Sequence, residues 1–183
     1  MRIAILSDIH DNVWKLDAAL AGIAAIEPPI DAMICCGDLC SPFIIHQMGR
    51  GFAKPIHVVF GNNDGDLFRI TANARHHPHI LLHGEWFRAE FDGRRVAVHH
   101  FDNIACALTG AGEFDLLCFG HNHVYSMTRA GRTLAVNPGS IMGAAFSPDG
   151  ARIETASTFM VYDTAAGEAR GFEINAEMLV VPR

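Results

Sequence analysis

An α/β fold with two facing sheets and helices on their outer sides is what this sequence predicts, and three observations lead there. Short apolar runs stop abruptly at polar clusters. In the first half these runs alternate with a segment of helical period, and in the second half they come in pairs joined by Gly-containing turns. Strand, helix, strand, helix, strand is the order of a parallel sheet with right-handed crossovers, whereas paired runs are hairpins. A parallel half followed by an antiparallel half suits one domain spanning residues 1–183, with no linker or internal repeat.

Arg2 to Leu6 is a buried strand by its length and composition. The period then changes: Val13, Leu16, Leu20, Ile23 and Ile26 recur at helical spacing, Asn12 stands where an N-cap belongs, and Pro28-Pro29 ends the run. Ala32 to Cys36 is a second strand, Pro42 to Met48 a short helix and Pro55 to Phe60 a third strand. Trp86 to Phe91 and Arg94 to His99 flank Asp92-Gly93, a strong hairpin signal. Leu116 to Phe119 is a further buried strand. Val124 to Thr128 pairs with Thr133 to Val136, and Thr158 to Tyr162 with Ala169 to Ile174. Ser147 to Arg152 reads as a mobile surface loop.

Composition narrows the function. Half of the residues are apolar and 19% are charged, which excludes disorder and low-complexity polymers. A net charge of −6 offers no basic field for a nucleic-acid backbone or an anionic membrane. The N-terminal apolar run is too short for a signal-peptide core and nothing approaches a membrane span, so a cytoplasmic protein without membrane attachment is expected. Five cysteines, none in a CxxC pair, read as reduced interior thiols. The anomaly is histidine, with 11 residues that are not one tract.

Metal-competent residues end four of the strands: Asp8 and His10, Asp38, Asn62, and His121 with His123. His99-His100 closes a further strand. In α/β sheets ligands collect at the carboxyl ends of strands, so distant segments can converge there. Carboxylate and amide oxygens mixed with imidazoles suit divalent transition metals. Seven candidates exceed the needs of one ion, and two ions sharing a carboxylate roughly 3.5 to 4 Å apart is the economical arrangement. Each piece alone also has a plain structural reading, Asp38 as a helix cap and Asn62-Asn63-Asp64-Gly65 as a turn. The tract His76-His77-Pro78-His79 lacks a strand-end context and reads as a solvated loop. His46, His57 and His83 show no partner pattern.

Asp8-Ile9-His10, Gly37-Asp38, Gly61-Asn62-Asn63-Asp64, strand-terminal His100 and Gly120-His121-Asn122-His123 resemble, in order, the five signature blocks of the calcineurin-like metallophosphoesterases. The small size, Asn12 and Asn137-Pro138-Gly139-Ser140 look like the small single-domain phosphodiesterase branch, which also contains the retromer subunit. The resemblance implies a four-layer α/β/β/α sandwich of two mixed sheets flanked by helices. It implies two divalent ions, Mn2+ foremost with Fe, Zn, Ni or Co as alternatives. Asp8, His10 and His123 would hold one, Asn62, His100 and His121 the other, and Asp38 would bridge them. A hydroxide between the ions would attack phosphorus in line, so that Asp38, Asn62, His100 and His121 carry catalysis on a small phosphodiester. Asn12 and Asp64 would orient ligands or substrate. A non-catalytic metal-binding scaffold or adaptor is the alternative, and a homodimer stays open.

The sequence departs from the family pattern in three places. Larger relatives carry a His after the Asn ligand that protonates the leaving group; here it is Asn63, whose amide cannot act as that acid. The fourth block has Phe101 in place of Gly, which leaves His99 as an alternative ligand to His100. Asn122 replaces the usual Thr between the last two histidines.

Overall fold

The computed structural model describes all of residues 1–183. Its elements are β1 (Arg2–Leu6), α1 (Val13–Ala25), β2 (Ala32–Cys35), α2 (Phe43–Gly51), β3 (Ile56–Val58), α3 (Leu67–Ala74), β4 (Ile80–Leu82), β5 (Trp86–Phe91) and β6 (Arg94–His99). There follow α4 (Asp102–Thr109), β7 (Leu116–Cys118), β8 (Ser126–Ala130), β9 (Thr133–Asn137), β10 (Ala144–Phe146), β11 (Arg152–Glu154), β12 (Ser157–Asp163), β13 (Glu168–Ile174) and β14 (Val180–Pro182). Seven strands form one sheet, ordered β14-β13-β12-β1-β2-β3-β4, and five form another, ordered β5-β6-β7-β9-β8. Both are mixed. β1 to β4 run parallel with β12 antiparallel to β1, and β6, β7 and β9 run parallel between antiparallel edges.

Three apolar layers separate four structural ones. Leu16, Leu20, Ile44, Met48 and Ile70 from the helices pack on Ala4, Leu6, Met33 and Val58 of the larger sheet. Ile3, Ile5, Ile34 and Met160 face Val96, Val98, Leu116 and Val136 between the sheets. Ala97, Leu117 and Ala135 on the far side of the smaller sheet meet Ala105 and Leu108 of α4. β1 shows why its sequence has no polar face: odd residues enter one apolar layer and even residues the other, because strand side chains alternate. Truncating fully buried Ile5 to Ala would cost about 2 to 5 kcal/mol by this packing.

The α/β/β/α order agrees with the sequence expectation, and Asn12 caps α1, its side chain accepting from the Lys15 N–H at 3.2 Å. The Asp92-Gly93 turn has both φ angles positive, 49° and 77°, as a two-residue hairpin turn of the primed type needs. The segment expected to be a surface loop lies at the exposed tip of the β10–β11 hairpin, closed by Ser147 N–H to Ala151 O at 3.0 Å. Three differences stand out. The strand expected over Val124 to Thr128 lies at Ser126–Ala130. Helices α3 and α4 had no sequence counterpart, since each is eight residues long and buries little: Ile70 and Ala74 in one, Ala105 in the other. Among the cysteines, Cys35, Cys36 and Cys118 are interior as expected, but Cys106 is exposed on α4.

Candidate metal centre

The carboxyl ends of β1, β2 and β3 in the larger sheet and of β6 and β7 in the smaller one open on the same rim. Their loops are stitched to each other: Asp8 N–H donates to Gly37 O at 3.1 Å and Ile9 N–H to Asp38 O at 2.9 Å. Five of the candidate ligands sit in the left-handed backbone region, with φ of 53° at Asp8, 44° at His10, 56° at Asp38, 73° at His121 and 59° at His123. Such a conformation costs about 1 kcal/mol or more per residue and recurs where side chains must be aimed.

Two glycines of the motifs are explained by space. A Cβ on Gly61 would lie 2.2 Å from Asp38 Oδ1 and 2.8 Å from His100 Nε2. One on Gly120 would lie 2.6 Å from Asp8 Oδ2 and 2.0 Å from Ser7 Oγ. The backbone therefore runs in contact with the carboxylates, and any side chain there would displace them.

The candidate ligands converge. His10 Nε2 and His123 Nε2 are 3.1 Å apart, and Asp8 Oδ1 lies 3.4 Å from His123 Nε2. Asn62 Oδ1 lies 3.0 Å from His100 Nε2 and 2.9 Å from His121 Nδ1. Asp38 Oδ2 stands between the groups, 3.4 Å from both His10 Nε2 and His100 Nε2. By distance alone Asp8, His10 and His123 make one metal-competent triad and Asp8, Asp38 and His100 another.

Second ring nitrogens fix which atom each imidazole presents. His100 Nδ1 lies 2.8 Å from Cys36 O and His123 Nδ1 against Ala144 O, so each donates there and keeps the Nε2 lone pair for the cluster. His10 Nδ1 lies 3.4 Å from Cys40 Sγ. This is the outer bonding that orients histidine ligands of metals, and with oxygen donors in the same cluster the residues fit divalent transition cations. His99 points elsewhere: its Nδ1 accepts from Phe101 N–H at 3.1 Å and its ring neighbours Trp86.

Charge in the metal-free cluster is redistributed accordingly. Burial opposes the charged form of Asp38, but hydrogen bonds from His100 and Asn63 outweigh it and hold the carboxyl far below its ordinary range. Burial also opposes the His100 and His123 cations, yet Asp38 and Asp8 respectively raise both imidazoles above their usual value. Burial wins at His10, which is lowered.

The supporting residues divide their work. Asn63 donates its N–H to Asp38 Oδ1 at 2.9 Å and its side-chain amide to Oδ2 at 2.8 Å. Asp64 accepts from the N–H groups of Asp38 at 3.0 Å, Gly61 at 2.7 Å and Cys40 at 3.0 Å, and so sets the backbone that aims Asp38. Asn12, besides capping α1, donates to Met142 O at 3.1 Å, and Met142 N–H donates to Asp8 O at 3.0 Å; it touches no candidate ligand. Asn137 is a supporting residue that the sequence offered only as part of a turn. Fully buried, it donates to Gly120 O at 3.0 Å and Asn122 Oδ1 at 2.9 Å, under the loop that carries His121 and His123. The open cleft above the cluster, about 440 Å³, is lined by His10, Asn62, Asn63, His121, Asn122, His123 and Phe146.

A sequence model of the calcineurin-like phosphoesterase superfamily domain matches residues 1–166. The chain belongs to this superfamily. It is similar to the phosphodiesterase MJ0936 of Methanocaldococcus jannaschii, 25% identical over 146 residues that make up 78% of this chain and 86% of that protein. Among solved structures, an archaeal phosphodiesterase superposes with a TM-score of 0.79 at 23% identity, covering 94% of this chain and 99% of the other. A single mutant of Vps29 from Entamoeba histolytica superposes with a TM-score of 0.70 at 18% identity, covering 100% and 97%. No helix of this superfamily member is long and apolar enough to cross a membrane.

Proposed function

We propose that the chain is a phosphodiesterase that works with two divalent cations, Mn2+ foremost, one held by Asp8, His10 and His123, the other by Asn62, His100 and His121, with Asp38 shared. One observation carries this reading: a single oxygen, Asp38 Oδ2, is 3.4 Å from an imidazole nitrogen of each group. When bound, such a pair of ions would acidify a water molecule and neutralise phosphoryl oxygens, leading to in-line displacement at phosphorus. The chain's own part is to place donors and fix their protonation. Asn63 holds Asp38 in position and favours its ionised form, Asp64 anchors its backbone, and the Cys36 and Ala144 carbonyls keep His100 and His123 facing inward.

Preference for a diester is supported by the cleft wall, which includes no lysine or arginine. A monoester dianion carries one more charge than a diester and gains from extra cations, whereas a diester's second substituent finds the apolar ring of Phe146 beside the cluster. Asn63, lacking a transferable proton, favours esters whose leaving group departs without an acid. The complete donor set gives the adaptor alternative no support.

The test is hydrolysis by Mn2+-reconstituted protein. Bis-p-nitrophenyl phosphate should be cleaved faster than the monoester, and Asp38→Asn should abolish cleavage with circular dichroism unchanged. Equal diester rates for Asp38→Asn and wild type would overturn the reading.

A further inference from the structure

Four of the remaining histidines gather on the helical face, where nothing in the phosphoesterase reading uses them. His46 lies on α2, while His76, His77 and His79 belong to the connection from α3 to β4. His46 has no partner pattern along the chain, but the fold supplies one: His46 Nδ1 lies 3.0 Å from His77 Nε2, with ring centroids 5.2 Å apart. His76 stands 6.0 Å from His46, and His79 stands edge-on to His77, also at 6.0 Å, with its Nε2 buried and unpartnered.

The pair is held from both sides. Gly49, three residues after His46 on α2, lets the His77 ring lie against the helix: a Cβ there would be 2.3 Å from His77 Nδ1. The backbone under the tract is fixed by His76 N–H to Asn73 O at 3.1 Å and His77 N–H to Ala74 O at 2.9 Å. Asn73 in turn donates to Pro42 O at 2.9 Å, which ties α3 to the start of α2. Burial, then neighbouring His46, keep the His77 imidazole below its ordinary range, which favours the neutral ring that a metal ion needs.

We propose that His46 and His77 form the core of a surface site for a late first-row divalent cation such as Zn2+, separate from the phosphoesterase centre, with exposed His76, its ring 6.0 Å from that of His46, turning in as a third donor when the cation binds. Two imidazole nitrogens bound to one tetrahedral zinc are roughly 3.3 Å apart, close to the separation already present, and all-imidazole sets suit zinc, copper and nickel. Only the shared proton between the rings has to leave. The donors come from two elements whose relative position the Asn73 tie already sets, so little ordering is lost on binding.

The experiment is equilibrium dialysis of the full chain against Zn2+ followed by elemental analysis. Wild type should hold one more zinc per chain than the His46→Gln/His77→Gln variant, which should keep its phosphodiesterase rate and circular dichroism. The difference between these two chains reads this site whatever the strand-end cluster binds. Gly49→Ala favours the helix and removes no imidazole, yet its Cβ displaces the His77 ring; it should weaken the extra zinc on the order of tenfold. Equal zinc content and affinity in wild type and the double variant would overturn the proposal, as would undiminished affinity in Gly49→Ala.

Discussion

Asp64→Ala removes the residue that aims the proposed bridging carboxylate and leaves every candidate ligand itself unsubstituted. Its carboxylate, only 8% exposed, accepts three backbone N–H groups, from Asp38, Gly61 and Cys40. An orphaned buried donor costs about 1 to 3 kcal/mol. Asp38 is fully enclosed while Gly61 and Cys40 are half-buried and can recruit water, so the loss should total about 3 to 4 kcal/mol. Burial pushes the Asp64 carboxyl above its ordinary range against those same three donors, so its charge is worth little and its acceptor atoms are worth much. Asp64→Asn separates the two: one oxygen remains to serve Asp38 and Gly61 while the amide faces the Cys40 N–H, a loss of about 1 to 2 kcal/mol. Urea unfolding followed by circular dichroism measures the stability, and Mn2+ content the aim of Asp38. Unfolding free energy of Asp64→Ala within about 0.5 kcal/mol of wild type, with Mn2+ fully retained, would refute the reasoning.

Further perturbations have equally definite outcomes. Gly61→Ala should abolish Mn2+ binding and cost about 1 to 3 kcal/mol by overpacking against Asp38, checked by elemental analysis and urea melts. His100→Ala should lose Mn2+ while His99→Ala keeps it, since only the His100 ring faces Asp38. Because His100 and His123 are raised in the metal-free chain, cation binding should release protons and its affinity should fall as pH drops through their raised values, read by titration in buffers of different ionisation heat. His57, packed against His83 and Phe87, is lowered to about 4, mainly by burial. Its unfolded form takes up a proton first, so the metal-free chain should lose stability as pH falls from about 6.5 to about 4, by about 1 to 2 kcal/mol after allowing for partial solvation, and His57→Gln should flatten that slope.

The centre was largely legible because chemistry and topology coincide: an apolar run ending in Asp or His is both a strand signal and a ligand position, as at Leu6-Ser7-Asp8 and Cys36-Gly37-Asp38. Where apolar patterning is thin, the sequence was silent. β11 exposes all three of its residues, and α4 fully buries only Ala105, so neither carries a period. Asn137 could not be read as a brace, because what it braces, Gly120 to Asn122, lies 15 to 17 positions away and meets it only in the fold. The same holds for His46 and His77, separated by 31 positions and brought together by the packing of α2 on the α3 connection. The motif glycines were visible as letters, but their cause, contact between backbone and carboxylate, needs three dimensions.

The most direct measurement is anomalous scattering from crystals grown with Mn2+. Two peaks flanking the Asp38 carboxylate, one toward His10 and His123 and one toward His100 and His121, are the predicted result. A map without density on either side of Asp38, at Mn2+ concentrations that support hydrolysis, would contradict the account.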